Sequence, residues 1–400
     1  MTTLDPIAAE YLRLVAEDDV RVGQARKEPA PIVDMLKVAW AVTRHPLYGG
    51  EYYRATRPAA LASRDFGWHT AVIEKIGSVE GSIKVAGQAY GAEHVIEPDV
   101  WIFRPMGREE EGSNWHLVDI VERIHAAGQL VIADLDDDIW AHEDWSEDRE
   151  GTDDRFEEWC WKVDGWLVST PWMKARVEDI ARRRGVPEQK VLVAPNCYDP
   201  FGLGKDSNPI PGRRMGTRLW LSGRMSGDLD IYRECFAPLL EALDLTWVHI
   251  GRETNVVEGP GVHARNFVDD CAMPRHRVLE LGACPLPEMG KLLGASMSIG
   301  AIAMADHAFN VAKTETHAVE LASAGLPLVA ATSLEIYEKV PGQVYPNPKS
   351  VRQRVKRLLE PEAWAWESNR ARDWARKTSV RSEATHMRAL QSLVTDLLKR

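Results

Sequence analysis

Residues Phe309 to Thr332 read FNVAKTETHAVELASAGLPLVAAT, and this run decides the fold. Asn310 and Thr314 are of the types that cap helix starts. Ala318, Val319, Leu321 and Ala322 then recur at helical spacing. Ala324-Gly325 ends the helix, because glycine takes the left-handed conformation at helix C-termini without steric cost. After Pro327 comes Leu328-Val329-Ala330-Ala331, an apolar run suited to a strand buried on both faces. Helix, glycine stop and buried strand together make half of a parallel βαβ unit. Lys313, Thr314 and Thr316 fall at the opening turn, where backbone N–H groups and the helix dipole favour a phosphate. Glu320 is the one acid in the last turns.

Around this run lies a chain of 400 residues, 44% apolar and 27% charged, enough for two domains with separate cores. No apolar run is long enough to span a bilayer, and the N-terminus lacks a signal-peptide pattern, so the expected location is the cytoplasm. The five cysteines show no C-x-x-C spacing and read as reduced thiols, with neither a disulfide frame nor a zinc site. The net charge of −11 is uneven. Asp134 to Glu158 carries thirteen acids against Arg149 and Arg155, whereas Lys349 to Arg400 carries thirteen bases against six acids. Such runs are usually solvated faces. There is no global basic field of the kind that sequence-independent DNA binding needs.

From the N-terminus, a short helix and a Pro29-Pro31 spacer lead to the strand Met35 to Trp40. A loop with Gly49 and Gly50 follows, then a helix over Glu51 to Ser63. Strands over Ala71–Ile73 and Asp99–Phe103, a helix with Leu117, Ile120, Val121 and Ile124 on one face, and the strand Leu130–Ala133 continue the alternation. Strands and helices in this order imply a parallel sheet with right-handed crossovers. The last strand runs into Asp134-Leu135-Asp136-Asp137-Asp138. At the carboxyl end of a parallel strand these side chains point into the crevice where open sheets bind ligands. Nothing adjacent in sequence neutralises them, so a raised pKa or a bound cation is expected. Asp136, Asp137 and Asp138 are candidates for a general base, a clamp on acceptor hydroxyls, or a Mg²⁺/Mn²⁺ site. The alternative is a capping cluster on an exposed loop.

Further on, Gly165–Val168 and Val191–Ala194 read as strands, with Ser169 or Thr170 capping a helix that has Pro171 in its first turn. Phe201 to Gly216 reads as a linker. The second half opens with the strand Arg218–Leu221, then Ser222-Gly223-Arg224 and a helix over Asp228–Leu243. Thr246–Gly251 is a strand, Pro287–Gly294 a helix and Met297–Ala301 a strand. Two basic amphipathic helices, Lys349–Glu360 and Ala384–Leu398, end the chain. Trp364, Trp366 and Trp374 sit on helices and read as packing residues.

The 309–331 run resembles the donor-binding helix of GT-B glycosyltransferases. The likeness rests on Glu320 followed by Ala322, Gly325, Pro327, Val329 and Ala330. The Asp-x-Asp-Asp stretch with Trp140, and the Val-Ser-Thr-Pro and Val-x-Val-x-Pro-Asn strands ending at Pro171 and Asn196, resemble the N-terminal domain of a bacterial and phage branch of these enzymes. The resemblance implies an α/β fold of two Rossmann-like doubly wound domains facing each other across a cleft. It implies an acceptor domain over 1–200, a nucleotide-sugar donor domain over 217–380, and a helix over 381–400 that packs back on the first domain. It further implies that Glu320 accepts from the ribose hydroxyls. Arg224, Lys313, Thr314 and Thr316 would hold the diphosphate, and Gly49 and Gly50 would line the cleft. The chain departs from the family at two places. Asp228 and Asp230 stand where a lysine often follows the arginine, and Ala312 stands where retaining members carry a second glutamate.

The function implied is transfer of a sugar from a nucleotide-diphosphate donor to a hydroxyl acceptor on a protein, polysaccharide or lipid. No cofactor or divalent metal is required, since cationic side chains and the helix opening stabilise the leaving diphosphate. The alternatives are glycosylation of hydroxymethylated DNA bases, which the acids disfavour, and a catalytically silent nucleotide-sugar-binding protein. Composition together with the branch resembled implies an actinobacterial or bacteriophage source, the latter placing the protein in the host cytoplasm.

Overall fold

The structure is a computed structural model of the chain. It describes residues 36–42, 49–74, 76–79, 82–85, 89–91, 98–104, 117–144, 159–199, 202–218, 226–252, 267–282 and 284–399. The helix read before Pro29, most of the loop before Gly49, and Arg224 lie outside these residues. The chain divides into two compact units. One comprises Met1–Asp137, Glu147–Cys197 and Ser382–Arg400, and the other Asp138–Ser146 and Tyr198–Arg381.

In the first unit, strands β1 (Lys37–Val42), β2 (His69–Glu74), β5 (Ala89–Gly91), β6 (Val100–Phe103), β7 (Leu130–Leu135), β8 (Gly165–Val168) and β9 (Lys190–Val193) form one sheet in the order β5-β2-β1-β6-β7-β8-β9. Strands β3 (Ile76–Val79) and β4 (Ser82–Val85) make a separate antiparallel hairpin. Among the described residues of the main sheet, only edge strand β5 is antiparallel. The central strands are buried throughout, as expected where both faces are covered. Trp40 and Phe103 lie in their cores, and the Phe103 ring packs edge-on to Trp159 at 6.1 Å. The helical run after Gly49 contains a π-turn, Tyr52–Thr56, and continues as Arg57–Phe66, with Pro58 directly after the π-turn. Thr170 caps Pro171–Arg184, its hydroxyl accepting from Met173 N at 3.1 Å.

The second unit has strands β10 (Arg214–Arg218), β11 (Thr246–Arg252), β12 (Val278–Gly282), β13 (Ile299–Met304), β14 (Leu328–Thr332) and β15 (Gln343–Val344), ordered β12-β11-β10-β13-β14-β15 and wholly parallel. Counted along the chain this is 3-2-1-4-5-6, the dinucleotide-fold order.

Three sequence expectations need correction here. The first strand of this unit begins at Arg214, inside the stretch read as linker. Gly216 misled, because its glycine serves the sheet: a Cβ there would collide with the Val248 carbonyl on the neighbouring strand. The strand expected at Met297–Ala301 is Ile299–Met304, Met297 being the C-cap of helix Leu286–Ser296. The final segment is not an isolated helix from Ala384 but the end of one 37-residue helix, Pro361–Leu397.

Candidate functional site

In an open parallel sheet, ligands bind outside the carboxyl ends of the strands where the strand order reverses. In the first unit that point lies between β1 and β6. Gly49 and Gly50, a short way beyond the end of β1, open a helix instead of lying in a loop, and Gly49 has φ +48°. Arg104 follows β6 directly, and Asp136 follows β7. Arg104 ion-pairs with Glu51 and, through Nη2, with Asp136 Oδ1 at 2.6 Å. Gly50 is seated against this pair: a Cβ on it would stand 2.8 Å from Arg104 Nη1 and 3.0 Å from Asp136 Oδ2. The structure thus brings together Gly50 and Asp136, which lie 86 positions apart in the sequence.

The carboxylate cluster is not bare: Arg54 and Arg104, remote in sequence, pair with Asp134 and Asp136. Arg54, on the π-turn, is wholly buried and grips both carboxylate oxygens of Asp134, its Nε lying 3.2 Å from Oδ2; its Nη1 donates to the Ala194 carbonyl. Burial pushes the Asp134 carboxyl above its ordinary range, against the pull of Arg54. Such a pair persists only when its hydrogen bonds are satisfied, as these are. Asp134 is therefore a scaffold residue that ties β7 to the turn carrying Arg54. Asp136 and Asp137 are half-buried, and the Ser169 hydroxyl donates to the Asp136 carbonyl at 3.0 Å. Asp138 is fully buried, belongs to the second unit and accepts from Trp140 N at 3.0 Å, which is a capping role. Asp136 and Asp137 are left as the carboxylates with access to solvent at this strand end.

In the second unit the order reverses between β10 and β13. The sequence-predicted helix opens later than expected, at Thr316, and neither Asn310 nor Thr314 caps it; its N-cap is Glu315. Asn310 is instead buried in the preceding turn, Ala308–Val311, and donates to Asp228 Oδ1 at 2.9 Å and to the Ala305 carbonyl at 3.0 Å. Asp228 also accepts from Ala305 N at 2.7 Å, and burial raises its carboxyl to about 6. It fixes the loop after β13. Lys313 Nζ lies 4.2 Å from the centroid of the Phe309 ring. Thr314 and Thr316 share a hydrogen bond of 2.7 Å, and Tyr198 meets Thr316 Oγ1 at 3.1 Å. Lys313 and a chain of three hydroxyls thus gather at one helix opening.

Glu320 lies one turn further, 2% exposed and ion-paired with Arg218 at the end of β10. His317 Nδ1 is 3.7 Å from its other oxygen. Although burial opposes ionisation, Arg218 and His317 hold the Glu320 carboxyl down at about 2. Arg54, Arg104, Arg218 and Tyr198 were not found by sequence reasoning. Their partners are remote in the chain, and only strand ends adjacent in space reveal them. Among the described residues, no three His, Cys, Asp or Glu side chains gather as a metal-ligand set.

Neither a protein-family model nor a curated protein sequence matches this chain. Solved structures do. Sucrose-phosphate synthase from Thermosynechococcus elongatus superposes with a TM-score of 0.58 at 12% identity, covering 91% of this chain and 99% of that one. The trehalose-6-phosphate protein from E. coli bound with UDP-2-fluoro glucose gives 0.58 at 12%, covering 90% and 98%. Trehalose-6-phosphate synthase OtsA gives 0.51 at 13%, covering 75% and 72%. The chain accordingly has the GT-B fold, with two Rossmann-like doubly wound domains, and its structural neighbours are GT-B glycosyltransferases. No helix among the described residues is long and apolar enough to cross a membrane.

Proposed function

We propose that this protein is a glycosyltransferase that moves a sugar from a nucleoside-diphosphate donor to a hydroxyl acceptor. The observation that carries the reading is the convergence of Lys313, Thr314, Thr316 and Glu320 at the switch point of a sheet with dinucleotide-fold order. Lys313 and the first-turn N–H groups of Thr316–Ser323 would hold the diphosphate, and a Glu320 oxygen would accept from a ribose hydroxyl. Arg224 is proposed as the second cation on the diphosphate.

In the transfer, the bond from the anomeric carbon to the diphosphate oxygen breaks, and a bond to the acceptor oxygen forms. The electron pair leaves with the diphosphate, where Lys313 and the helix opening stabilise the charge that develops, with no divalent metal needed. The acceptor proton passes to a carboxylate. Asp136 and Asp137 are the candidates, Arg104 holding Asp136 in place. Asp138 is better read as a cap than as a base. The acceptor is a hydroxyl of a protein, polysaccharide or lipid.

The test is release of nucleoside diphosphate from UDP-, GDP-, ADP- and dTDP-sugars by purified protein, with and without EDTA. Turnover of one donor that survives EDTA and falls at least tenfold in Asp136→Asn supports the reading. Stabilisation by a donor without any turnover would identify a silent binding protein instead.

A further inference from the structure

The second unit holds another cluster, remote in sequence from the residues above. A cavity of about 280 Å³ opens beside β15, lined by Gly342, Arg354, Arg357, Trp366, Glu367 and Arg370 among others. Its construction follows from two helices. Pro348–Leu358, capped by Asn347, presents Arg354 and Arg357 one turn apart; Pro361–Leu397 presents Trp366, Glu367 and Arg370 on adjacent turns.

Glu367 is 1% exposed: Arg354 Nη1 donates to Oε1 at 2.6 Å while Nε donates to the Leu328 carbonyl at 3.2 Å, and Oε2 is buried without a hydrogen-bond partner. Arg357 and Arg370 reach the same carboxylate only at 3.5 and 3.6 Å, and both side chains are about half exposed. Three guanidinium groups therefore face one buried acid, with Glu338 exposed on the rim. Arg354 Nη2 is buried without a hydrogen-bond partner, on a side chain only 9% exposed. A buried donor in that state is costly unless an acceptor arrives. Trp366, which sequence reasoning placed in packing, is 55% exposed, and the Arg357 and Arg370 guanidinium carbons lie 5.8 and 5.4 Å from its ring centroid.

We propose that this cluster binds a phosphomonoester. Its phosphate would take hydrogen bonds from Arg354 Nη2, Arg357 and Arg370, and its organic part would lie on the Trp366 ring. Guanidinium forks match phosphate oxygens, and three arginines against Glu367 and Glu338 leave the lining with a net positive charge that suits an anion. The cavity has room for a phosphate with one sugar-sized ring.

The experiment is calorimetric titration of the full chain with ribose 5-phosphate, and with inorganic phosphate and ribose for comparison. Ribose 5-phosphate is expected to bind more tightly than inorganic phosphate, and ribose not at all. The double variant Arg357→Gln/Arg370→Gln should lose at least tenfold in affinity, Trp366→Ala should narrow the gap between the two phosphates, and Lys313→Ala should change neither. Arg370→Gln alone, on an exposed side chain, provides the same reading if the double variant does not fold. Absence of binding by either phosphate, or affinity unchanged in the arginine variants, overturns the proposal. So does loss of binding in Lys313→Ala, which would move the phosphate to the other site.

Discussion

Arg218 and Glu320 form an ion pair inside the second unit, with side chains 4% and 1% exposed. Arg218 ends β10, and Glu320 lies on the helix that enters β14, so the pair spans the point where the strand order reverses. A carboxylate offers about four acceptor positions. Arg218 pairs with one oxygen of Glu320 and His317 stands 3.7 Å from the other, so a ribose hydroxyl would take a further acceptor position on the same carboxylate. Arg218 is thus a positioning residue for Glu320.

Removing one partner of a buried pair leaves the other charge uncompensated, at a cost of about 3–5 kcal/mol. Glu320→Ala should accordingly destabilise the protein by an amount in that range in urea denaturation. Arg218→Met/Glu320→Leu should recover much of that loss while still failing to bind a nucleotide. Stability unchanged in Glu320→Ala would mean that the pair is not formed in solution.

The same pair sets an acid limit. Glu320 titrates at about 2 in the folded chain against 4.5 ordinarily, so its contribution is complete above about pH 4.5 and is lost as pH falls toward 2. The shift corresponds to about 3 kcal/mol. In denaturation at fixed pH, the gap between the wild type and Glu320→Gln should close across that window.

His386 acts in the first unit, and at milder acidity. Burial, with Arg54 nearby, keeps its imidazole neutral down to about pH 3, while Nδ1 sits 2.8 Å from the Pro195 carbonyl. The unfolded chain takes up a proton near pH 6.5 and the folded chain does not. Stability is therefore lost as pH falls below about 6.5, approaching about 1.4 kcal/mol per pH unit. Asp228 has the opposite sign. Raised to about 6 from 3.8, it favours the folded state at low pH, and that advantage disappears as pH rises through 6. Between pH 4 and 6 the two oppose each other. His386→Gln should flatten the acid loss, and Asp228→Asn should steepen it; a wild-type profile unaltered by either substitution would contradict these shifts.

At the first unit's strand ends, Gly50→Ala places a methyl group against Arg104 and Asp136. Arg104 must move, and Asp136 loses its fixed position. Turnover should fall by about tenfold or more with nucleotide affinity unchanged, since misplacement of a catalytic group raises the barrier without touching donor contacts. A KM effect on the donor with unaltered kcat would remove Asp136 from its proposed role.

The order of elements was legible where apolar runs are long and glycine marks the stop. Phe309–Thr332 yielded a helix ended by Gly325, which has φ +81°, and then a buried strand. Its first turn was misjudged because Asn310 and Thr314, good capping types, are engaged elsewhere: Asn310 with Asp228, Thr314 with Thr316. β10 was misplaced because Gly216 resembles linker glycine until Val248 is set beside it. Neutralisation of the Asp134–Asp138 cluster was invisible for a related reason. Arg54 precedes Asp134 by 80 residues and Arg104 precedes Asp136 by 32, and no local pattern carries that information. The sheet topology does, because it brings the ends of β1, β6 and β7 side by side.

The most direct test of nucleotide-sugar chemistry is a thermal-shift panel of UDP, GDP, ADP, dTDP and CMP on the wild type and on Lys313→Ala, with and without Mg²⁺. Selective stabilisation by one nucleoside diphosphate is predicted, insensitive to metal and weakened about tenfold in apparent affinity by the loss of the lysine charge. If no nucleotide raises the midpoint, or if Lys313→Ala responds as the wild type does, the opening of the Thr316–Ser323 helix is not a donor site.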